Sequence, residues 1–218
     1  MERHFDEELK NLKQKLLQMA DAAQEMIGLA IQSLVERSEA RAKEVFVLEE
    51  KVNHTEIEIE EEVLRLLALR QPAARDLRLL TAVLKINNDL ERVADQAVNI
   101  AEISICLLKE PPLKPLIDIP HMANLAQKMI KNSLEAFVHH DPKLAEEVCE
   151  DDDEVDRINE QIFRELLTYM MEDARSITRA VDLILVSRNL ERIADHATNI
   201  SEDVIFIEEG KNIKHHFQ

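Results

Sequence analysis

An all-α fold of two sequence-repeated, antiparallel three-helix bundles packed side by side is what this sequence predicts, and three observations predict it. The stretch Leu90-Glu-Arg-Val-Ala-Asp-Gln-Ala-Val-Asn-Ile-Ala-Glu102 returns as Leu190-Glu-Arg-Ile-Ala-Asp-His-Ala-Thr-Asn-Ile-Ser-Glu202. The offset is 100 residues without a gap, and nine of thirteen positions are identical, so one structural unit occurs twice. The composition leaves little for strand turns: 218 residues hold 2 Gly and 6 Pro, with 3% aromatic and 33% charged residues, the signature of long helices. Apolar residues at 45% suffice for a packed interior.

The helices follow in order. Leu9, Leu12, Leu16, Met19, Ala23, Met26, Ala30 and Leu34 recur at three- and four-residue steps, predicting a first helix over 4–36. Gly28 interrupts it at about 1 kcal/mol relative to Ala, either for close helix approach or by ordinary tolerance. Ser38 suits the N-cap of a second helix ending near Arg70, because Pro72 disfavours helix at the preceding residue. A third helix over 73–108 carries the first repeat. Residues 109–120 hold four of the six prolines and read as the connection between halves. A fourth helix spans 121–139. Asp141-Pro142 is an N-cap followed by a proline at the first helical position, opening a fifth helix to Glu172. A sixth covers 175–209, with Gly210 as its C-terminal cap and a frayed polar tail at 211–218. The expected division is a first bundle at 1–110, a linker at 111–120 and a second bundle at 121–218.

The formal charge of -17 repels nucleic-acid phosphates and anionic headgroups. No apolar run approaches the roughly 20 residues that span a bilayer, and the N-terminus lacks the apolar core of a signal peptide. Cys106 and Cys149 stand in no metal-type spacing and read as small buried hydrophobes of a reduced, cytoplasmic protein.

On a helical wheel Leu90, Val93, Ala97, Ile100 and Ser104 fall on the core face. Glu91, Asp95 and Glu102 lie within about 40° of one another on a different face, and Glu191, Asp195 and Glu202 repeat the relation. A lone pair of this kind is commonly a solvated face, with Arg92 and Arg192 as neighbours to take up the charge. Identical framing in two copies argues for more. The preceding helices carry Glu49 and Asn53, continued by Glu56 and Glu60, and Asp152 and Asp156, followed by Asn159. Phe163 stands where Glu60 has its counterpart. Antiparallel packing would set Glu49/Asn53 against Glu91/Asp95 and Asp152/Asp156 against Glu191/Asp195. Such oxygen donors suit Mg²⁺, Ca²⁺, Mn²⁺ or iron. The Glu-x-x-His motif of di-iron bundles is missing, which disfavours redox chemistry. His196, beside Asp195, reads as a solvated residue or one supporting a ligand. His139-His140 and His215-His216 read as surface.

Glu49-Glu-Lys-Val-Asn53, Arg70-Gln-Pro-Ala-Ala-Arg-Asp-Leu-Arg78, Leu90-Glu-Arg-Val-Ala-Asp95, Leu167-Thr-Tyr-Met-Met-Glu-Asp173 and Leu190-Glu-Arg-Ile-Ala-Asp195 together resemble the PhoU family of bacterial phosphate-transport accessory proteins, in both halves and in order. The resemblance implies multinuclear metal clusters on the bundle surface, carried at Glu91/Asp95 and Glu191/Asp195 with partner motifs at Glu49/Asn53 and Asp152/Asp156. The expected ions are divalent or trivalent: iron first, with manganese, magnesium or zinc as alternatives. Asn53 keeps one oxygen and loses the charge, which weakens the first site. The resemblance also implies a non-catalytic adaptor, commonly dimeric, that represses the phosphate-starvation response and restrains phosphate uptake. It would connect the phosphate ABC transporter ATPase subunit to the sensor histidine kinase and reach the membrane only through these partners. A metal-dependent phosphohydrolase using the carboxylate clusters is the alternative; the sequence offers no phosphate loop, zinc spacing or nucleophile elbow.

Overall fold

The computed structural model describes residues 2–72 and 74–210. Among the described residues there are six long helices: α1 (Glu2–Glu36), α2 (Glu39–Arg70), α3 (Ala74–Leu107), α4 (Asp118–His139), α5 (Pro142–Glu172) and α6 (Ile177–Glu209), with one 3₁₀ turn at Ala174–Ser176 before α6. Among the described residues there is no strand.

The helix ends show how local chemistry sets the boundaries. Arg37 and Gln71 take left-handed backbone conformations, φ 54° and 47°, and end α1 and α2. Asp141 caps α5, its carboxylate accepting from the Lys143 and Leu144 amides at 3.1 and 3.2 Å, and Pro142 occupies the first turn. Gly210 closes α6 at φ 69°, its amide donating to the Phe206 carbonyl. Ser38 holds the expected cap position of α2 but makes no side-chain cap bond. The fourth helix opens at Asp118, three residues before the expected His121. Pro120 lies in its first turn, where a missing N–H costs nothing because those donors have no intrahelical partner. The tail at 211–218 lies outside the described residues.

Within each half the three helices pack on one another. The halves meet along α3 against α6 and along α1 against α4. One continuous apolar interior runs through both, including Leu16, Met26, Leu90, Ile100, Phe137, Leu190 and Ile193. The core face read from the repeat is buried as expected: Leu90, Val93, Ala97, Ile100 and Ser104. Gly28 sits on the α1–α4 contact, where a Cβ would lie 3.4 Å from Gln127 Nε2, an ordinary contact, and Gln127 donates to the Gln24 carbonyl at 3.0 Å.

Polar ties join helices within each half and across the two. The Arg37 guanidinium donates to the carbonyls of Leu107, Leu108 and Glu110 at 3.3, 3.0 and 2.6 Å, capping the C-terminus of α3 with a cation, as the helix dipole favours. Lys85 pairs with the buried Asp203 at 2.8 Å. Arg75 and His140 both meet Glu208, at 3.1 and 2.6 Å. His140, read as a surface residue, thus also ties α4 to α6.

Candidate functional site

Each half presents one seam on its outer face, α2 against α3 and α5 against α6. The core faces turn inward, so the carboxylates one step around each wheel are left on the seam. All four members of the second set come together there. Burial, together with the neighbouring Asp156, Asp195, Asp153 and Glu191 carboxylates, pushes the Asp152 carboxyl up to about 7. Burial and Asp153 raise Asp156. Burial raises Asp195, helped by Asp156 and opposed by His196 and Arg192. Glu191 is raised by burial, with Arg188 opposing and Asp156 and Asp195 reinforcing. The charges acting on Asp152 are thus those of carboxylates on its own helix, Asp156 and Asp153, and on the facing helix, Asp195 and Glu191, and removing any proton from this cluster adds like charge at short range.

The first seam is built the same way but is better neutralised. Glu49 is raised by burial, then by Asp95, Glu102 and Glu50, which sets α2 against α3 in the expected antiparallel register. Glu91 is raised by burial and by Asp95. Arg92 reaches both, 3.4 Å from Glu91 and 3.2 Å from Asp95. Asn53 is exposed on the same helix and brings no charge. In the second seam Arg192 acts on Glu191 and Asp195 only at longer range, with no ion pair to either among the described residues.

Several participants were not assigned from the motif. Glu56 faces Glu91 and raises it. Asn159 shares a groove with Asp156 and Glu191. Cys149 lies half-buried beside Glu202 and Asp152, and burial followed by these carboxylates pushes its thiol up to about 12. The expectation that both cysteines are buried fails: Cys106 is exposed and both are free, because α3 turns that position outward near its end. The signal for Glu56 and Asn159 was the helical period beyond the two-residue motif, which runs on along the same stripe.

His196 is 19% exposed and bonds Asp89, Nδ1 to Oδ1 at 2.8 Å, with Asn199 Nδ2 at 3.4 Å from the same oxygen. It belongs to the α3–α6 contact between halves, not to the carboxylate seam.

The donor chemistry of both seams fits a hard cation: clustered oxygens whose repulsion a positive ion would relieve. Their side chains do not close on one point. Among the described residues no three His, Cys, Asp or Glu side chains converge as a metal-holding group.

The sequence pattern of the PhoU domain matches the chain twice, over residues 16–104 and 119–204, one match to each set of helices. The chain belongs to the PhoU family. The phosphate-specific transport system accessory protein PhoU homolog of Aquifex aeolicus is 42% identical over 208 residues, covering 95% of this chain and 94% of that protein. The crystal structure of PhoU from Pseudomonas aeruginosa superposes with a TM-score of 0.92 at 38% identity, covering 95% of this chain and 100% of that one. That of the phosphate transport system regulatory protein PhoU from Streptococcus pneumoniae gives 0.87 at 27% identity, with 95% and 98% covered. The PhoU fold is therefore common to all three, and no described helix of this chain is long and apolar enough to cross a membrane.

Proposed function

We propose that this chain is a non-catalytic accessory and regulatory component of bacterial phosphate transport, acting as an adaptor that represses the phosphate-starvation response and restrains uptake. Its partners are the ATPase subunit of the phosphate ABC transporter and the sensor histidine kinase, and it works in the cytoplasm as a homodimer. The observation that carries the reading is the doubled PhoU match over nearly the whole chain, joined to relatives named as accessory or regulatory proteins.

The seams supply the second part of the proposal. Glu49, Asn53, Glu91 and Asp95 would hold one set of ions, and Asp152, Asp156, Glu191 and Asp195 the other, once their side chains turn inward. Iron is the first candidate, with manganese, magnesium and zinc as alternatives. The ions would supply positive charge that locks the paired helices, a structural or regulatory element.

Deleting the gene in its host is expected to leave phosphate-starvation promoters active in high phosphate, and the wild-type copy to restore repression. A pull-down from native membranes, with and without chelator, should recover the transporter ATPase or the sensor kinase. Normal repression in the deletion strain would overturn the reading.

A further inference from the structure

Phe163 breaks the correspondence between the two seams, and the structure shows that it does not stand alone. It is 49% exposed, and along the same stripe of α5 follow Leu167 at 44% and Met171 at 81%. On α6 the antiparallel register sets Leu185, Val181 and Ile177 opposite them, each more than 40% exposed. Two observations fix the register: Asp152 is acted on by Asp195 and Glu191, and Phe163, Ile184, Arg188, Asp156 and Glu191 line one groove. In the first half the corresponding positions, by offsets of 103 on α2 and 100 on α3, are Glu60, Leu64, Ala68, Leu77, Thr81 and Lys85. Three of these six are polar or charged, so the first half keeps exposed apolar residues, Leu64 at 54% and Leu77 at 42%, but breaks the strip with Glu60, Thr81 and Lys85. Exposed apolar residues grouped this way on a helix pair mark an interaction site, and past Arg188, Asn159 and Glu160 the same groove reaches Asp156 and Glu191 of the second seam.

We propose that the α5–α6 seam is a docking groove for an amphipathic helix of a partner protein, apolar at one end and rich in Lys and Arg at the other. The apolar side chains of that helix cover Phe163, Leu167 and Val181, and its basic end meets Asp156, Asp152 and Glu191 when these carboxylates hold no ion. From Met171 to Asp152 the strip is 20 residues of α5, about 28 Å end to end at 1.5 Å per residue, which takes a helix of about five turns. Recognition is of the helix-in-groove kind, with the acidic end fixing direction. The seam's own charge decides the occupant: Asp152, Asp156 and Glu191, on a chain of net charge -17, repel an anionic lipid surface and attract a basic segment. This rests on the adaptor reading and names the chemistry of the partner it binds.

The probe is a fluorescein-labelled synthetic 20-residue helix with Leu at i, i+3, i+4 and i+7 in one half and Lys-rich in the other. A control peptide of the same charge has the leucines replaced by Ser. The probe is expected to bind the full chain, and Leu167→Glu/Val181→Glu to weaken it at least about tenfold, whereas Leu64→Glu at the equivalent first-half position changes it by less than about twofold. All these sites are exposed, and circular dichroism checks that the variants keep the fold. Absence of probe binding, equal weakening by both variants, or equal affinity for the Ser control overturns the proposal. So does a dimer that Leu167→Glu/Val181→Glu dissociates, or patch-dependent binding to phosphatidylglycerol vesicles, since either names another occupant. Expression of Leu167→Glu/Val181→Glu in the deletion strain separates the two claims. Normal repression with this variant removes the groove and leaves the adaptor standing, whereas failure of the wild-type copy to repress removes the adaptor itself.

Discussion

His196 Nδ1 lies 2.8 Å from Asp89 Oδ1, joining α6 to α3 across the boundary between the two repeats. Both residues sit at repeat-equivalent positions whose partners differ: Asp89 corresponds to Asn189, and His196 to Gln96. The duplicated interface has thus one charged contact and one amide position related to it. Asn189 bonds its own helix, donating to the Leu185 carbonyl at 2.7 Å.

A double-mutant cycle should measure this tie. Asp89→Asn and His196→Gln are each expected to destabilise the fold, with a coupling of about 1 kcal/mol, as for half-buried hydrogen-bonded pairs. The double variant copies the residue types of the other position. It should lose less than the sum of the single changes, measured by urea unfolding. A coupling of zero would mean the bond contributes nothing to holding the halves together.

Asp152 predicts a pH dependence. Its carboxyl is raised to about 7 by burial and facing carboxylates, so between the ordinary carboxylate range and about pH 7 the folded chain holds a proton that the unfolded chain has released. Stability from this group is present at low pH and is lost as pH rises through that window. Asp152→Asn should therefore raise the melting temperature of metal-free protein at pH 8, by about 2–4 °C for about 1 kcal/mol, and leave it nearly unchanged at pH 4. A variant less stable than wild type at pH 8 under chelation would contradict this.

The two seams should differ in cation affinity. Asn53 lacks a charge and Arg92 already occupies Glu91 and Asp95, whereas Asp152, Asp156, Glu191 and Asp195 form four facing carboxylates. Titration with Mn²⁺ is expected to show the second seam about tenfold tighter, or about 1.4 kcal/mol. Glu191→Gln/Asp195→Asn should remove the tighter phase, and Glu91→Gln/Asp95→Asn the weaker. Thermal stabilisation by the ion, followed without any activity assay, checks the same order.

The caps should separate cleanly. Asp141→Ala removes two hydrogen bonds to the first turn of α5 and is expected to cost about 1 kcal/mol. Ser38→Ala removes no side-chain cap bond and should cost only a few tenths of a kcal/mol, since the hydroxyl contributes nothing there. Thermal melts of the two variants side by side give the comparison.

How far the site could be read in advance follows from the same contacts. Glu49, Glu91, Asp152 and Asp195 were legible because helical period places them on one face and short connections make neighbouring helices antiparallel. Glu56 and Asn159 were legible as continuations of the stripes, but that Glu56 faces Glu91 needed the register between helices, which depends on where each turn closes. His196 reads as solvated or as supporting a ligand; its bond to Asp89 was not legible, because a helical wheel gives a direction and not the neighbour that fills it. Its counterpart Gln96 is buried in the same α3–α6 contact, a fact that belongs to packing between the halves.

By itself the sequence determined the helices, their caps at Asp141 and Gly210, the duplication, the inward faces and the acidic stripes. Each is a short-range property, set by 3.6-residue periodicity, proline and glycine stereochemistry and the burial of apolar stripes. Only the tertiary structure decided that α3 lies on α6 and that Asp89 meets His196. These depend on how two nearly equal units turn toward each other. That choice is made by contacts between residues about a hundred positions apart, which no local pattern encodes.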